Sequence, residues 1–369
     1  MISTSERSAR LDQAQAVVAS QELVAMLITP GSSLSYLVGY NAVALERLTC
    51  LIVPGDDVSP TLVVPTLERP AALASGVADL GISIIDWQET DNPYELIAKL
   101  LPSDGAIAVD DHMWAEQVLR LRDAMPGLEQ VLAGGIVNEL RVRKSTAELD
   151  ALRQAGAAID RVHAQMGQWL RVGRTEREVA RDIGDAILSQ GHERVDFVIV
   201  ASGPNGASPH HEVSDRVIEV GDVIVVDIGG TTPEGYCSDS TRVYAMGNVD
   251  PAFARDYGTL MQAQEAAFVS ATVGVSAESV DQAARDVLTS AGLGEFFIHR
   301  TGHGIGMSTH EDPYIVSGNQ TRLQPGMAFS IEPGFYVAGK WGARLEDIVV
   351  MTPTGCERVN NQPRDLVIL

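Results

Sequence analysis

The sequence predicts two domains of different class, an α/β layer domain followed by an α+β domain. Three observations predict it. Short apolar runs closed by Gly or Pro alternate with helical stretches over the first part of the chain, the signature of layered strands and helices. A capping-box pattern, Ser145 followed by Glu148, then opens an amphipathic helix and a change of character. From residue 195 onward strands dominate, interrupted by two helices. At 369 residues the chain is long enough for two cores, and the boundary is placed near Arg143, giving residues 1–142 and 143–369.

In the first domain the N-terminal twenty residues are polar and helix-like, with no apolar core and cleavage site of a secretory signal. YLVGY (36–40), LTCLIVP (48–54) and TLVVP (61–65) read as strands, and ISIIDW (82–87) and AIAVDD (106–111) as buried strands. Helices are expected around 67–78, 93–101 and 114–125. Glu46, Asp110, Asp111 and His112 read as turn or surface residues. In the second domain, Leu149, Leu152, Ile159, Val162, Met166 and Leu170 recur at helical spacing. A second box, Thr175 with Glu178, opens a helix ending at Gly191. VDFVIVASG, VIVVDIGG and TRVYAM follow as strands, then helices near 251–272 and 276–291, then the strands FFIHRTG, MAFSIEPG and GARLEDIVVM.

Charge narrows the function. Acidic residues outnumber basic ones by 49 to 27, for a net charge of −22, which argues against nucleic acid because that binding rests on cationic contacts to phosphate. No run approaches the roughly 18 apolar residues of a membrane helix. Three widely spaced cysteines (Cys50, Cys237 and Cys356) suggest neither a disulfide framework nor a zinc ribbon, so a reducing cytoplasm is the simplest location.

The chemistry gathers in the second domain. Asp227 ends the apolar run Val223–Val226, and Asp239 lies beyond a Pro/Gly turn, so that a hairpin would face the two carboxylates. His303 sits among Gly302, Gly304 and Gly306, where glycines permit close backbone approach. Glu332 follows the run Met327–Ile331, and Glu346 lies in Arg344-Leu345-Glu346-Asp347 within the last strand pair. Four carboxylates and one imidazole make a hard, oxygen-rich ligand set suited to two divalent ions, Mn²⁺ or Co²⁺ first, with Zn²⁺ or Fe²⁺ as alternatives. Without metal, carboxylates brought together would repel by roughly 4 kcal/mol per contact pair at an intermediate dielectric. Convergence of these residues therefore demands cations.

In combination, DIGG…SDSTR, GHGIGMSTHEDP, SIEPG and RLED resemble the metallopeptidases of the pita-bread fold, the family of methionine aminopeptidase, aminopeptidase P and Xaa-Pro dipeptidase (prolidase). The resemblance covers about 143–369 and implies that Asp227, Asp239, His303, Glu332 and Glu346 hold two metal ions. It implies that His210 contacts the substrate carbonyl or developing oxyanion, and that His310 is a proton shuttle near the scissile bond. It makes Glu332 the acceptor of the proton of a metal-bridging water, and Arg344 an orienter of ligands or substrate. His211 stays ambiguous beside His210; His112, His163, His192 and His299 are expected to be structural. One departure concerns the turn TTPEGYCS, one residue longer than the family's pattern. If the extra residue intrudes on the strand, Asp239 faces the wrong side, because side chains alternate.

The folded N-terminal domain, together with PHH, HEDP and RLED, resembles the aminopeptidase P and prolidase branch rather than methionine aminopeptidase. That branch implies an N-terminal domain of creatinase/prolidase type concerned with dimerisation and site closure, a homodimer, and proline-containing dipeptides or short peptides as substrates. The length and compact N-terminal domain favour the dipeptidase over aminopeptidase P acting on longer peptides. A creatinase-like C–N hydrolase or a non-catalytic binding module on the same fold are the rival readings; retention of all five ligands argues against both.

Overall fold

The computed structural model describes residues 2–369, which divide into two compact units meeting at Arg141 and Val142. The first unit is built on a six-stranded sheet. Its strands are β1 (Ala25–Ile28), β2 (Cys50–Pro54), β3 (Thr61–Pro65), β4 (Ser83–Trp87), β5 (Gly105–Val109) and β6 (Leu128–Leu132), in the order β4-β3-β2-β1-β5-β6. The β1–β2 and β2–β3 pairs are antiparallel, and the others are parallel. Leu27, Ile52, Val63, Ile107 and Val109 build its core with Ile97 and Leu121 from the helices Pro93–Ala98 and Ala115–Ala124. The first helix, Thr4–Ser20, is capped by Ser3 Oγ, which accepts from the Glu6 amide at 3.1 Å.

YLVGY is not a strand. It belongs to the helix Ser32–Val38, whose Leu34, Leu37 and Val38 form one buried face at i, i+3 and i+4. Gly39, at φ 72°, ends it in the left-handed conformation that glycine adopts without a Cβ penalty. A five-residue window cannot separate that helical period from a short apolar strand.

The second unit holds β7 (Arg194–Ser202), β8 (Val223–Thr231), β9 (Cys237–Ala245), β10 (Gly302–Gly304), β11 (Glu311–Ile315), β12 (Ala328–Ile331), β13 (Gly334–Val337), β14 (Trp341–Arg344), β15 (Asp347–Thr352), β16 (Gly355–Arg358) and β17 (Val367–Ile368). They form sheets in the orders β17-β9-β8-β7, β11-β10-β12-β15-β16 and β13-β14. Both predicted capping boxes form. Ser145 N donates to Glu148 Oε2 at 2.9 Å and Thr175 N to Glu178 Oε2 at 2.8 Å, each with its reciprocal bond, opening the helices Thr146–His163 and Glu176–Ser189.

Alternation along β8 sets the site. Ile224, Val226 and Ile228 pack with Ile159, Val162, Ile183 and Ile187 of those two helices. Val223 and Val225 turn the other way, onto Phe253, Tyr257 and Leu260 of the helix Pro251–Ser270 and Val280 of the helix Ala277–Ser290. Asp227 follows Val223 and Val225 at the same parity, so its carboxylate lies on their side of the sheet.

FFIHRTG also departs from expectation: a 3₁₀ turn, Gly294–Phe296, precedes irregular backbone, and β10 begins only at Gly302. The cause is Arg285, whose guanidinium takes the carbonyls of Phe297 and His299 that a strand would spend on its ladder.

Candidate active site

The long turn leaves Asp239 on the productive face. The β8–β9 ladder runs without a shift from Val223↔Ala245 to Thr231↔Cys237, pairing Asp227 with Thr241 and Gly229 with Asp239. Residues 232–236 form the turn, with Thr232 N donating to Tyr236 O at 2.9 Å and Gly235 at φ 86°. The added residue is absorbed there. Asp227 and Asp239 are diagonal neighbours on one face, with Asp227 and Asp239 both inside their strands rather than beside them.

Around Asp239 the chain assembles a buried cluster. Donor atoms of Asp239, His303 and Glu346 all lie within 4.8 Å of one another. His303 Nε2 is 3.7 Å from Asp239 Oδ2 and 3.2 Å from Glu332 Oε1. Glu332 stands just past β12, and its Oε1 also accepts from Ser330 Oγ at 3.0 Å. Glu346 occupies the break between β14 and β15, where Thr241 Oγ1 donates to its Oε2 at 2.9 Å. Asp227 stands apart from the trio: Arg344 Nη2 donates to its Oδ2, while its buried Oδ1 has no hydrogen-bond partner among the described residues. Arg344 also donates to Tyr336 Oη at 2.9 Å, to Thr241 Oγ1 at 3.2 Å and to the Pro209 carbonyl at 3.1 Å.

The glycines around His303 serve approach rather than unusual dihedrals. A Cβ on Gly302 would overlap the Ser330 carbonyl oxygen, and one on Gly304 the Asp312 carbonyl, because β10 is pressed between β12 and β11. Gly302→Ala must therefore displace the His303 strand. We expect a loss of about 1–3 kcal/mol of stability together with weakened metal binding, read by thermal melting and metal titration.

Electrostatics mark the cluster as cation-seeking. Burial, then the charges of Glu346, Asp227 and Glu332, push Asp239 well above the usual carboxylate range. Glu346 is raised likewise, by burial and by Glu332 and Asp227. Burial acts on Glu332 in the same sense, but its hydrogen bond to His303 and the charges of His303, His299 and Arg344 outweigh it and hold it at about 2. Four acidic groups meet one guanidinium here. An oxygen-rich, crowded donor set with a buried unpartnered carboxylate oxygen fits divalent cations.

The cluster opens into a cavity of about 880 Å³, lined by all five predicted ligands and by His210, His310 and Arg344. The His310 ring lies 4.1 Å from that of His303; desolvation, with His303 and Arg300 close by, holds it down to about 4. His211 turns away: its Nε2 donates to Glu176 Oε2 at 2.8 Å, and of the pair it is His210 that lines the cavity. His299, expected to be structural, lines the cavity with both ring nitrogens engaged, Nδ1 2.7 Å from the Arg300 carbonyl oxygen and Nε2 2.9 Å from Tyr336 Oη. Arg300, which the sequence does not single out, also lines the cavity, and its guanidinium lies 4.4 Å from the Tyr314 ring centroid. Phe197, Ile199 and Ile298 give that wall an apolar stretch.

The pita-bread second unit sets a carboxylate–imidazole cluster beside a cavity, and the protein is a metallopeptidase by family. The chain belongs to metallopeptidase family M24, whose sequence profile matches residues 150–353, and the creatinase/prolidase N-terminal domain profile matches residues 10–143. It is 52% identical over 361 residues to a probable dipeptidase, PepE, of Mycobacterium tuberculosis, covering 98% of this chain and 96% of that one. It is 34% identical over 352 residues to an Xaa-Pro dipeptidase of Lactobacillus helveticus, covering 91% and 92%. The crystal structure of dipeptidase PepE from Mycobacterium ulcerans superposes with a TM-score of 0.94 at 50% identity, over 99% of this chain and 98% of that one.

Proposed function

We propose that the chain hydrolyses the Xaa-Pro bond of dipeptides, using two divalent ions, Mn²⁺ first among them, held by Asp227, Asp239, His303, Glu332 and Glu346. The observation that carries this is the buried convergence of Asp239, His303 and Glu346 beside a cavity that Asp227 and Glu332 also line. Bound there, the ions supply Lewis acidity, activating water and polarising the scissile carbonyl. His210, exposed to the cavity, steadies the carbonyl oxygen as negative charge develops on it. A Glu332 carboxylate oxygen takes the proton of the attacking water and returns it to the proline nitrogen, which leaves as a secondary amine. Arg344 holds the Asp227 carboxylate while that transfer proceeds.

Proline on the leaving side suits the wall. Its amide nitrogen carries no proton and so requires no acceptor, and Phe197, Ile199 and Ile298 offer apolar surface to a pyrrolidine ring. Similarity to an Xaa-Pro dipeptidase over nine-tenths of the chain supports the same reading. Arg300 favours dipeptides over longer peptides. Of the two guanidiniums lining the cavity, Arg344 is committed to Asp227, whereas Arg300 pairs with no carboxylate among the described residues. A free carboxylate one residue beyond the scissile bond answers it.

The test is turnover of an Xaa-Pro dipeptide, its C-terminal amide and an Xaa-Pro-Xaa tripeptide, with and without Mn²⁺. The dipeptide should be preferred at least tenfold, and Arg300→Leu should cost it about 2 kcal/mol in kcat/KM while leaving the amide nearly unchanged. Equal or better turnover of the tripeptide would favour aminopeptidase P. No turnover of any of the three with metal present would end the proposal. A homodimer is part of the same reading, checked by light scattering.

A further inference from the structure

We infer that Glu176 and His211 form a positioning pair that fixes His210 in the cavity, which rests on the reading above that His210 meets the substrate carbonyl. The segment between β7 and β8 carries two adjacent histidines, and they part company. His210 opens to the cavity, and among the described residues its ring makes no hydrogen bond of its own. Its place is therefore set by the backbone on either side.

Both sides are anchored. Before it, the Pro209 carbonyl accepts from Arg344 Nη1 at 3.1 Å, through the same guanidinium that grips Asp227. After it, His211 Nε2 donates to Glu176 Oε2 at 2.8 Å. Glu176 is fully buried at the start of its helix, and its carboxylate accepts from the whole segment. Ser202 N and Oγ donate to Oε1 at 2.7 Å each, and Asn205 Nδ2 does so at 3.0 Å. Ser214 N and Oγ donate to Oε2 at 3.1 and 2.7 Å. One carboxylate thus ties together residues 202, 205, 211 and 214, the span that presents His210. A buried charge is tolerated only where donors saturate it, and a rigid loop is the consequence. Those donors overcome the burial that would raise the acid, holding it at about 2.

The helix could have been capped without this carboxylate, since Thr175 already supplies the capping box. Glu176 serves the loop instead. A displacement of His210 by about 1 Å would cost about 100-fold in rate.

The experiment is a double-mutant cycle on the metal-loaded enzyme, with His210→Ala, His211→Ala and the pair. His211→Ala should lower kcat 10- to 100-fold with KM within about threefold, and His211→Gln, whose amide can donate to Glu176, should recover most of the loss. In the His210→Ala background, His211→Ala should have no further effect, because residues that act through one another are not additive. Multiplicative losses, or full activity of His211→Ala, would overturn the positioning role. If His211→Ala does not fold, Ser214→Ala, which deletes one hydroxyl donor, enters the same cycle with the same two outcomes. Absence of turnover by the wild-type enzyme would fail the functional reading before any variant is compared, so the two failures are distinguishable.

Discussion

Asp239→Asn is expected to lower kcat/KM by at least about 10³-fold, or about 4 kcal/mol, while making the metal-free protein more stable than wild type. Both effects have one origin. Asp239 is buried against Glu346, Asp227 and Glu332, and burial first, then those like charges, raise it. Removing one charge relieves the cluster when nothing balances it. With cations present the order reverses. A ligand that binds only the native state adds about 2.7 kcal/mol at a hundredfold excess over its Kd, which the wild type gains and the variant largely forgoes. Melting curves with and without Mn²⁺ should therefore cross over between the two proteins. A variant that melts lower in both conditions has simply misfolded, and one that keeps turnover within tenfold of wild type refutes the role of Asp239 as a ligand.

Glu176→Gln is expected to destabilise the protein at neutral pH by about 2–3 kcal/mol and to flatten its acid limb. Glu176 falls from an ordinary 4.5 to about 2 in the folded state; burial opposes this, and hydrogen bonds from Ser202, Ser214 and Asn205 overcome it. The folded state then binds fewer protons than the unfolded chain. Its contribution is complete above pH 4.5 and is lost as pH falls through about 2. The urea midpoints of wild type and variant should differ most at pH 6 to 7 and draw together below 4.5. Parallel profiles across that window would show that the carboxylate carries no such linkage.

Much of the site was legible because its signals are local. An apolar run ending in Asp227, the Pro/Gly turn before Asp239 and Glu332 directly after a run of strand formers each announce a carboxylate at a fixed place on a strand or just past one. The two capping boxes are equally local, since a Ser or Thr and a Glu three residues on complete both bonds within one turn. What was missed depends on contacts distant in sequence. His299 faces the cavity because Arg285 and Asp281, on a helix, pin the backbone from Phe297 to Thr301, with Asp281 Oδ1 accepting from Thr301 N at 3.0 Å and Thr301 Oγ1 at 2.8 Å. Nothing in FFIHRTG announces that guanidinium. Tyr336 acquires meaning only from His299 and Arg344, which share its hydroxyl. The choice between His210 and His211 likewise belongs to Glu176, more than thirty residues earlier.

Asp239 was the proposed ligand most exposed to error, since one residue too many in a turn can invert a strand. The uninterrupted ladder from Thr231↔Cys237 to Val223↔Ala245 removes that concern and returns the carboxylate to the face of Asp227. The claim that these side chains serve two ions is tested most directly by counting them. Titration of the purified protein with Mn²⁺, followed by calorimetry and by the paramagnetic signal of the free ion, should find two ions per wild-type chain and at most one in Asp239→Asn. Fewer than one ion per wild-type chain, with no gain in peptidase activity on adding Mn²⁺ or Co²⁺, would contradict the account.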